Sequence, residues 1–147
     1  MWEAVLPLSA EGRSTVAVKI VAARDGDEQE FDQAGRLLRM LHHPPGLVRV
    51  TESFTGPVMH RGATADTGTR ANYVVMDHVA GITLREWCDE NPDAIAAVRL
   101  KMLRTAASAL DVMHSGAITH IPVAHGDVKP ANVIVRPDGG SVLVDLG

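Results

Sequence analysis

In the first third of the chain, the pattern of hydrophobic and β-branched residues predicts a strand followed by a helix. Residues 14–23, STVAVKIVAA, are rich in β-branched side chains and follow a Glu-Gly turn, so they predict a strand. Apolar positions then recur at helical spacing from Phe31 to Leu41, after acidic residues that favour the start of a helix. The helix should end before Pro44, because the residue before a proline disfavours the α conformation.

The next stretch predicts two strands separated by a loop. Residues 46–54 alternate loosely between apolar and polar positions, and residues 71–79, ANYVVMDHV, form an apolar run typical of a buried strand. Between these segments, residues 56–70 are rich in Gly and Thr and show no periodicity, which predicts an exposed loop.

The second half of the chain is predicted to be mainly helical. A short helix should follow Thr83, which is a suitable N-cap because Glu86 stands three residues later. A long helix is predicted to open at Asn91 and to run to about His114, with Gly116 just past its end. The following apolar positions share one face of this helix: Ile95, Val98, Met102, Ala106, Ala109, Leu110 and Met113.

A β-hairpin is predicted near the end of the chain. Two short apolar segments, NVIVR at residues 132–136 and SVLVDL at residues 141–146, flank the turn sequence PDGG at residues 137–140. The elements therefore follow the order strand, helix, two strands, helices and hairpin. This order indicates an α+β fold in which a β-rich part gives way to a helical part near Gly81.

Composition narrows the functional class. The 147 residues are 46% hydrophobic and 22% charged, as is usual for a globular protein. The net charge is −4, the Lys and Arg residues are scattered and aromatic residues make up 3%, so no nucleic-acid partner is expected. The single cysteine, Cys88, excludes an internal disulfide, and no apolar run reaches the roughly 20 residues that span a bilayer. We therefore expect a soluble cytoplasmic protein without a membrane segment.

Four polar residues near the end of the chain suggest phosphate chemistry. Asp127 lies five residues before Asn132 and 18 residues before Asp145, and the predicted hairpin would fold Asp145 back beside the loop that holds the other two. A carboxylate and an amide oxygen suit Mg²⁺, which keeps part of its coordination for phosphates. Asp127 would then be left to orient and deprotonate a hydroxyl, and Lys129 would hold the transferring phosphate.

Four segments resemble one enzyme family, in the family's own order along the chain. HGDVKPANVIV at residues 125–135 and VDLG at residues 144–147 resemble the catalytic loop and the metal-binding motif of the eukaryotic-like (Hanks-type) Ser/Thr protein kinases, most closely their bacterial branch. VAVKIV at residues 16–21 resembles the family's strand with its lysine, and YVVMDHVAGITLREW at residues 73–87 resembles its hinge and the helix that follows. The resemblance implies a partial two-lobe kinase architecture, with a β-rich N-lobe containing one helix and the start of a helical C-lobe.

The resemblance implies roles for five residues in phosphoryl transfer from ATP to Ser/Thr hydroxyls of a protein. Lys19 would bind the α- and β-phosphates, Asp127 would be the catalytic base and Lys129 would neutralise the γ-phosphate. Asn132 and Asp145 would hold Mg²⁺. ATP and Mg²⁺ are thus the implied cofactors, and the protein substrate is not identified by the sequence.

The resemblance also implies an adenine site. Met76 would stand at its back, and the backbone from Asp77 to Val79 would offer hydrogen bonds to the base. Ala17 and Val135 would form apolar walls.

The two implied lobes divide the chain near residue 80. Residues 1–80 would form a partial N-lobe that lacks the family's glycine-rich loop, since MWEAV at residues 1–5 resembles the segment that follows that loop. Residues 81–147 would form a partial C-lobe that ends at the DLG motif. We therefore expect a truncated kinase whose long helix exposes an apolar face.

Two further positions depart from the family pattern. The helix glutamate that pairs with the strand lysine falls on Ala34 or Gly35, and Glu30, one turn before Ala34, is a poor substitute. Nucleotide binding through Lys19 is therefore expected to be weakened. Gly126 replaces the arginine that receives an activation-loop phosphate, which predicts that such phosphorylation does not switch on the intact kinase.

Two other function classes compete with a protein kinase. A small-molecule phosphotransferase of the aminoglycoside or choline kinase type commonly carries HGD, but usually lacks a lysine at the position of Lys129. A pseudokinase or truncated binding module would share the motifs without catalysing transfer. An assay of phosphate transfer with Asp127→Asn as the control separates the last class from an active kinase.

Overall fold

The computed structural model describes most of the chain as two compact units. The described residues are 2–6, 14–24, 26–41, 44–59 and 65–146. The first unit falls within Met1–Arg39 and Arg49–His78, and the second falls within Met40–Val48 and Val79–Gly147.

Each unit has its own β-sheet. In chain order, the elements are β1 (Trp2–Leu6), β2 (Ser14–Ala22), α1 (Glu28–Met40), β3 (Val50–Met59), β4 (Ala65–Asp77), β5 (Ile82–Thr83), α2 (Leu84–Glu90), α3 (Ala96–Ser115), a 3₁₀ helix (Pro130–Asn132), β6 (Val133–Val135) and β7 (Ser141–Leu143). These elements confirm the α+β class.

An antiparallel sheet with strand order β1-β2-β4-β3 forms the first unit. The two apolar runs of the sequence become its central strands, β2 and β4, because a strand with neighbours on both sides is well covered. Ala17 of β2 pairs with Met76 of β4, and both side chains are buried. The strands predicted at residues 14–23 and 71–79 are confirmed, apart from their last residues.

Helix α1 is held close to the sheet of the first unit by a glycine. Gly35 is buried, and a Cβ atom built on it would lie 2.0 Å from Oγ of Ser53 on β3. One turn later, the guanidinium of Arg39 donates a hydrogen bond to the same hydroxyl. The predicted helix is confirmed, and Ser53 sets how closely it approaches β3.

The loop predicted at residues 56–70 is wrong for the part that the structure describes. Strands β3 and β4 both extend into this stretch, and their pairing places Val58 opposite Asp66; residues 60–64 lie outside the described residues. Backbone hydrogen bonds join such strands whether or not their side chains alternate in polarity, so composition did not reveal them. The first strand, Trp2–Leu6, was not predicted either, and it is recognised only through its pairing with β2.

The ends of the helices in the second unit follow local sequence rules. The Thr83 hydroxyl accepts a hydrogen bond from the Glu86 backbone N–H, and the Glu86 carboxylate accepts one from the Thr83 backbone N–H at 2.7 Å. The predicted capping box is therefore confirmed. Gly116 ends α3 with a φ of 67°, a left-handed conformation that glycine adopts without strain, as predicted.

Helix α3 begins later than the sequence predicted. The prediction opened it at Asn91, but Ile95 is the N-cap residue and the first helical residue is Ala96. The side chain of Arg99 donates hydrogen bonds to the carbonyl oxygens of Pro92 and Ala94 and so holds the preceding residues in a turn. A contact from a side chain in the next helical turn therefore decides this boundary.

The core of the second unit packs α3 against the β5-β6-β7 sheet. Its buried members are Leu41, Leu47, Leu84, Ala106, Ala109, Met113, Val133, Val135 and Leu143. Leu47 bridges to Leu143, so the segment after α1 belongs to this unit, and the strand predicted at residues 46–54 begins only at Val50. On the predicted apolar face of α3, Val98 is 36% exposed, whereas Ala106, Ala109 and Met113 are buried. Only part of the face that was expected to be exposed is therefore exposed.

Among the described residues, the structure contains no helix with the length and apolar character needed to cross a membrane.

The hairpin predicted near the chain end is confirmed. Strands β6 and β7 are antiparallel, with Val133 opposite Leu143 and Val135 opposite Ser141.

We expect Gly35→Ala to destabilise the protein by about 1–3 kcal/mol, because the new methyl group collides with Ser53. An unobstructed helix interior would respond in the opposite direction, gaining about 0.5–1 kcal/mol. Urea unfolding of the variant and of Gly35→Ala combined with Ser53→Gly checks this, since the second change restores the space. A more stable Gly35→Ala variant would contradict the close packing.

Candidate active site

The segment from His125 to Asn132 is a short loop that leads into β6. Gly126 has a φ of +82°, so the turn at this position suits glycine and would strain most other residues. The loop ends in the 3₁₀ helix, where the N–H of Asn132 donates to the carbonyl of Lys129 at 2.9 Å. After the β6–β7 hairpin, the N–H of Val144 donates to the carbonyl of Asn132 at 2.8 Å. The hairpin thus returns the residue before Asp145 to the loop, as predicted.

His125 fastens the loop a second time. It is 2% exposed, and its Nδ1 accepts a hydrogen bond from the backbone N–H of Asp127 at 3.3 Å. With Nδ1 acting as acceptor, the proton of a neutral imidazole lies on Nε2, which is 3.1 Å from the carbonyl oxygen of Val144 and donates to it. His125 is therefore a structural residue of the loop, and its two bonds span from Asp127 to the residue before Asp145.

The carboxylate of Asp127 is held on one of its two oxygens. Oδ2 accepts hydrogen bonds from Nζ of Lys129 at 2.6 Å and from the Asn132 amide at 2.9 Å. The same amide nitrogen lies 2.9 Å from the backbone carbonyl of Asp127. Both side-chain donors converge on Oδ2, and neither of these two hydrogen bonds uses Oδ1.

These contacts set the charge state of Asp127. Its pKa is lowered, chiefly by the hydrogen bond from Lys129, with smaller contributions from the Asn132 amide and from the positive charge of Lys129, while partial desolvation acts in the opposite direction. The side chain is 42% exposed, so solvent screens much of this interaction. Asp127 is therefore a carboxylate at neutral pH.

Asn132 and Asp145 provide a donor set that fits Mg²⁺. Asn132 is 6% exposed and its two hydrogen bonds to Asp127 both use the amide nitrogen, so the oxygen is the atom left to act as a ligand. Asp145 has a φ of +61°, a strained conformation that aspartate tolerates better than most residues. No three His, Cys, Asp or Glu side chains gather as a metal site in the described part of the chain. One carboxylate and one amide oxygen suit a cation that takes its remaining ligands from phosphates and water.

The first unit brings together four of the sequence-predicted residues. Ala17 and Lys19 alternate along β2 and so share one face of the sheet, where Lys19 is half-buried. Met76, opposite Ala17 on β4, is 3% exposed, and Asp77 follows it as the last residue of that strand. These four residues therefore occupy two neighbouring strands.

The other predicted residues belong to the second unit. Val135 is 5% exposed in its core, opposite Ile82, and Val79 is the first residue of the unit's second segment. The last residue of the DLG motif, Gly147, lies outside the described residues.

In the structure, no glutamate of α1 takes the buried position at which the resemblance implies a partner for Lys19. Glu30 and Ala34 are exposed, and Gly35 takes the buried position that faces Ser53. Arg49 was not predicted as a site residue, and its side chain forms a two-pronged contact with the carboxylate of Asp77. The two residues are 28 positions apart and follow no short motif, so the sequence carried no signal for this pair.

Curated relatives of the chain carry kinase names. Ser/Thr-protein kinase PknA of Mycobacterium tuberculosis is 29% identical over 151 aligned residues, which cover 100% of this chain and 31% of PknA. A probable Ser/Thr-protein kinase PknB of Corynebacterium glutamicum is 31% identical over 99 residues, covering 67% of this chain and 15% of PknB. The chain thus spans about a third of PknA and less of PknB. No family model matches it.

The fold is shared with a solved kinase structure. The structure of Rad53 residues 1–466 in complex with AMP-PNP matches 99% of this chain and 38% of that one, with a TM-score of 0.66 and 20% sequence identity. At this identity the match concerns the fold alone, and it agrees with the kinase relatives that align over the whole chain. The chain therefore belongs to the eukaryotic-like (Hanks-type) Ser/Thr protein kinases and corresponds to part of their kinase domain.

Proposed function

We propose that this chain provides the nucleotide-binding and phosphoryl-transfer residues of a Ser/Thr protein kinase. The observation that carries the proposal is the Asp127 carboxylate, held on Oδ2 by Lys129 and Asn132 in a loop that His125 ties to Val144. Because the chain spans 31% of PknA, the activity of a whole kinase is part of the proposal.

In the proposed reaction, Asp127 orients the hydroxyl of a Ser or Thr side chain. The hydroxyl oxygen bonds to the γ-phosphorus of ATP, the bond between that phosphorus and the β–γ bridging oxygen breaks, and ADP leaves. The hydroxyl proton passes to Oδ1 of Asp127, the oxygen that Lys129 and Asn132 do not hold. A carboxylate with a lowered pKa is a weak base, so Asp127 contributes mainly by positioning the hydroxyl.

Cations are assigned to the phosphates. Lys129 lies beside Asp127 and would bind an oxygen of the transferring phosphate. Lys19 on β2 would bind the α- and β-phosphates. Asn132 and Asp145 would hold Mg²⁺, which neutralises phosphate charge when it is bound.

Five apolar or backbone positions are assigned to adenine. Ala17 and Met76 pair across β2 and β4, and both are buried. Val135 would form the other apolar wall, and Asp77 and Val79 would offer backbone groups to the base.

A protein hydroxyl is favoured over a small-molecule acceptor because of Lys129. The small-molecule phosphotransferases usually lack a lysine at this position, and here the lysine contacts the Asp127 carboxylate directly.

Replacing the proposed base tests the activity. We expect Asp127→Asn to lower phosphate transfer from radiolabelled ATP to a generic basic protein by about 100-fold or more, because the amide cannot accept the proton. Asp138→Asn, in the exposed β6–β7 turn, is a matched control that should keep the wild-type rate. Equal transfer by wild type and Asp127→Asn would contradict the assignment, and transfer to an aminoglycoside or choline instead of protein would indicate the other phosphotransferase class.

The charge of Asp127 should depend on Lys129. In Lys129→Met we expect the pKa of Asp127 to rise toward its ordinary value, because its largest stabilising hydrogen bond is lost. Carboxyl-carbon NMR titration of wild type and variant measures this, with Lys101→Met on α3 as the control. Since the folded-state pKa is lowered, the contribution of Asp127 to stability is present above its unfolded-state pKa and is lost as pH falls through the folded-state pKa. An unchanged pKa in Lys129→Met would show that the pair does not form in solution.

Asp145 offers a test that separates metal binding from folding. Because its φ is +61°, Asp145→Gly should be more stable than Asp145→Ala by about 1 kcal/mol in urea unfolding. Both variants should lose the increase in nucleotide affinity that Mg²⁺ gives the wild type. If Mg²⁺ raises the affinity equally in Asp145→Gly and wild type, Asp145 is not a metal ligand.

A further inference from the structure

Arg49 and Asp77 are joined by three hydrogen bonds within the first unit. Nε of Arg49 donates to Oδ2 of Asp77, and Nη2 donates to Oδ1, both at 3.0 Å. The backbone N–H of Asp77 donates in turn to the carbonyl oxygen of Arg49, also at 3.0 Å. We refer to these three bonds as the Arg49–Asp77 clamp.

The clamp lies where the regular pairing of β3 and β4 breaks down. The register shifts between Val50 and Glu52, and the Thr51 hydroxyl donates to the carbonyl of Val75 at 3.1 Å. Beyond this irregularity, Arg49 precedes β3 and Asp77 is the last residue of β4. The clamp therefore holds the end of β4 at a point where the ladder alone is irregular.

Geometry distinguishes the clamp from an ordinary surface ion pair. The side chains of Arg49 and Asp77 are 55% and 44% exposed, and isolated pairs at such exposure usually contribute little to stability. A guanidinium with two parallel bonds to a carboxylate fixes direction as well as distance, and here a backbone bond adds a third constraint. The guanidinium is also a permanent charge, and the raised pKa of Arg49, caused by its hydrogen bond to Asp77, agrees with a stable contact. Such a contact is better suited to fixing a backbone than to supplying folding energy.

We infer that Arg49 is a positioning residue for the nucleotide base, acting through the backbone of Asp77 and the residues that follow it. The inference rests on the proposed function, which assigns the backbone from Asp77 to Val79 to adenine. Held in one conformation, this segment presents a fixed order of donors and acceptors. Adenine and guanine expose opposite groups on their six-membered rings, so a fixed backbone discriminates between them.

Loss of the clamp should lower the affinity for ATP by reducing the fraction of molecules in which the Asp77–Val79 segment has the binding conformation. If the segment samples other conformations, only the competent fraction binds, and the apparent dissociation constant rises by the inverse of that fraction. The effect should be confined to ligands with a base. A ligand that carries only phosphates does not use the segment and should bind as before.

The test compares base-containing and base-free ligands in the 147-residue chain. Calorimetric titration with ATP, GTP and inorganic tripolyphosphate, each with Mg²⁺, should be made on wild type, Arg49→Gln and Arg49→Lys. We expect Arg49→Gln to bind ATP about three- to fivefold more weakly, as for the loss of an exposed ion pair, with a smaller preference for ATP over GTP. Tripolyphosphate affinity should not change. Arg49→Lys keeps the charge without the two-pronged geometry and should also lose ATP affinity.

Arg70→Gln is the matched control. The side chain of Arg70 is 58% exposed and pairs with Glu28 at 3.4 Å, on β4 but seven residues before Asp77. It should bind all three ligands as wild type does.

Each outcome decides between the claims. If wild type binds ATP and both Arg49 variants bind it equally well, the inference is wrong and the proposed function stands. Parallel losses for ATP and tripolyphosphate would also overturn the inference, since they indicate a general structural defect. If wild type binds no ATP, the proposed function fails and the inference fails with it. Should Arg49→Gln not fold, Arg49→Lys decides the question.

Discussion

The proposed chemistry of the second unit depends on two hydrogen bonds that end at one residue, Val144. Its N–H donates to the carbonyl of Asn132, and its carbonyl accepts from the buried ring of His125. These bonds fasten the loop that carries Asp127 to the chain that carries Asp145. Without them, the proposed catalytic carboxylate and the proposed metal ligand, 18 residues apart in sequence, would have no fixed relation. A buried imidazole bonded at both nitrogens also cannot turn without leaving polar groups unpaired, which makes the arrangement rigid.

The loop itself is organised by charge. Lys129 and Asn132 both donate to Oδ2 of Asp127, so one oxygen of the carboxylate is fixed and the other keeps a defined direction. The same hydrogen bonds lower the pKa of Asp127, so the carboxylate is a weaker base but is held in a fixed position. A weakly basic carboxylate in a fixed position suits the proposed phosphoryl transfer, in which the leaving group departs early and the nucleophile needs orientation more than activation.

Glycine changes the geometry of the first unit. At Gly35 the missing side chain lets α1 approach β3 until the backbone meets Ser53, where a glutamate side chain would not fit without moving the helix. The Arg49–Asp77 clamp, in contrast, adds an ordered contact at the end of β4.

The elements that the sequence predicted correctly depend on near neighbours. The capping box of Thr83 and Glu86, the glycine at the end of α3 and the β6–β7 hairpin each involve residues within a few positions of one another. The errors came from contacts that composition does not encode. Strand pairing extended β3 and β4 into a Gly- and Thr-rich stretch, and the side chain of Arg99 holds the residues before α3 in a turn, so that the helix begins later.

For the site, the sequence by itself determined the chemical groups and their order. The HGDVKPAN, DLG and VAVKIV motifs point to the family, and with it to the proposed carboxylates, lysines and amide. Only the tertiary structure decided how those groups are held: which oxygen of Asp127 is engaged, how His125 joins two distant segments and how Arg49 reaches Asp77. The physical reason is range. A motif records residue types at short offsets, whereas a hydrogen bond between residues 19 or 28 positions apart exists only after the chain has folded.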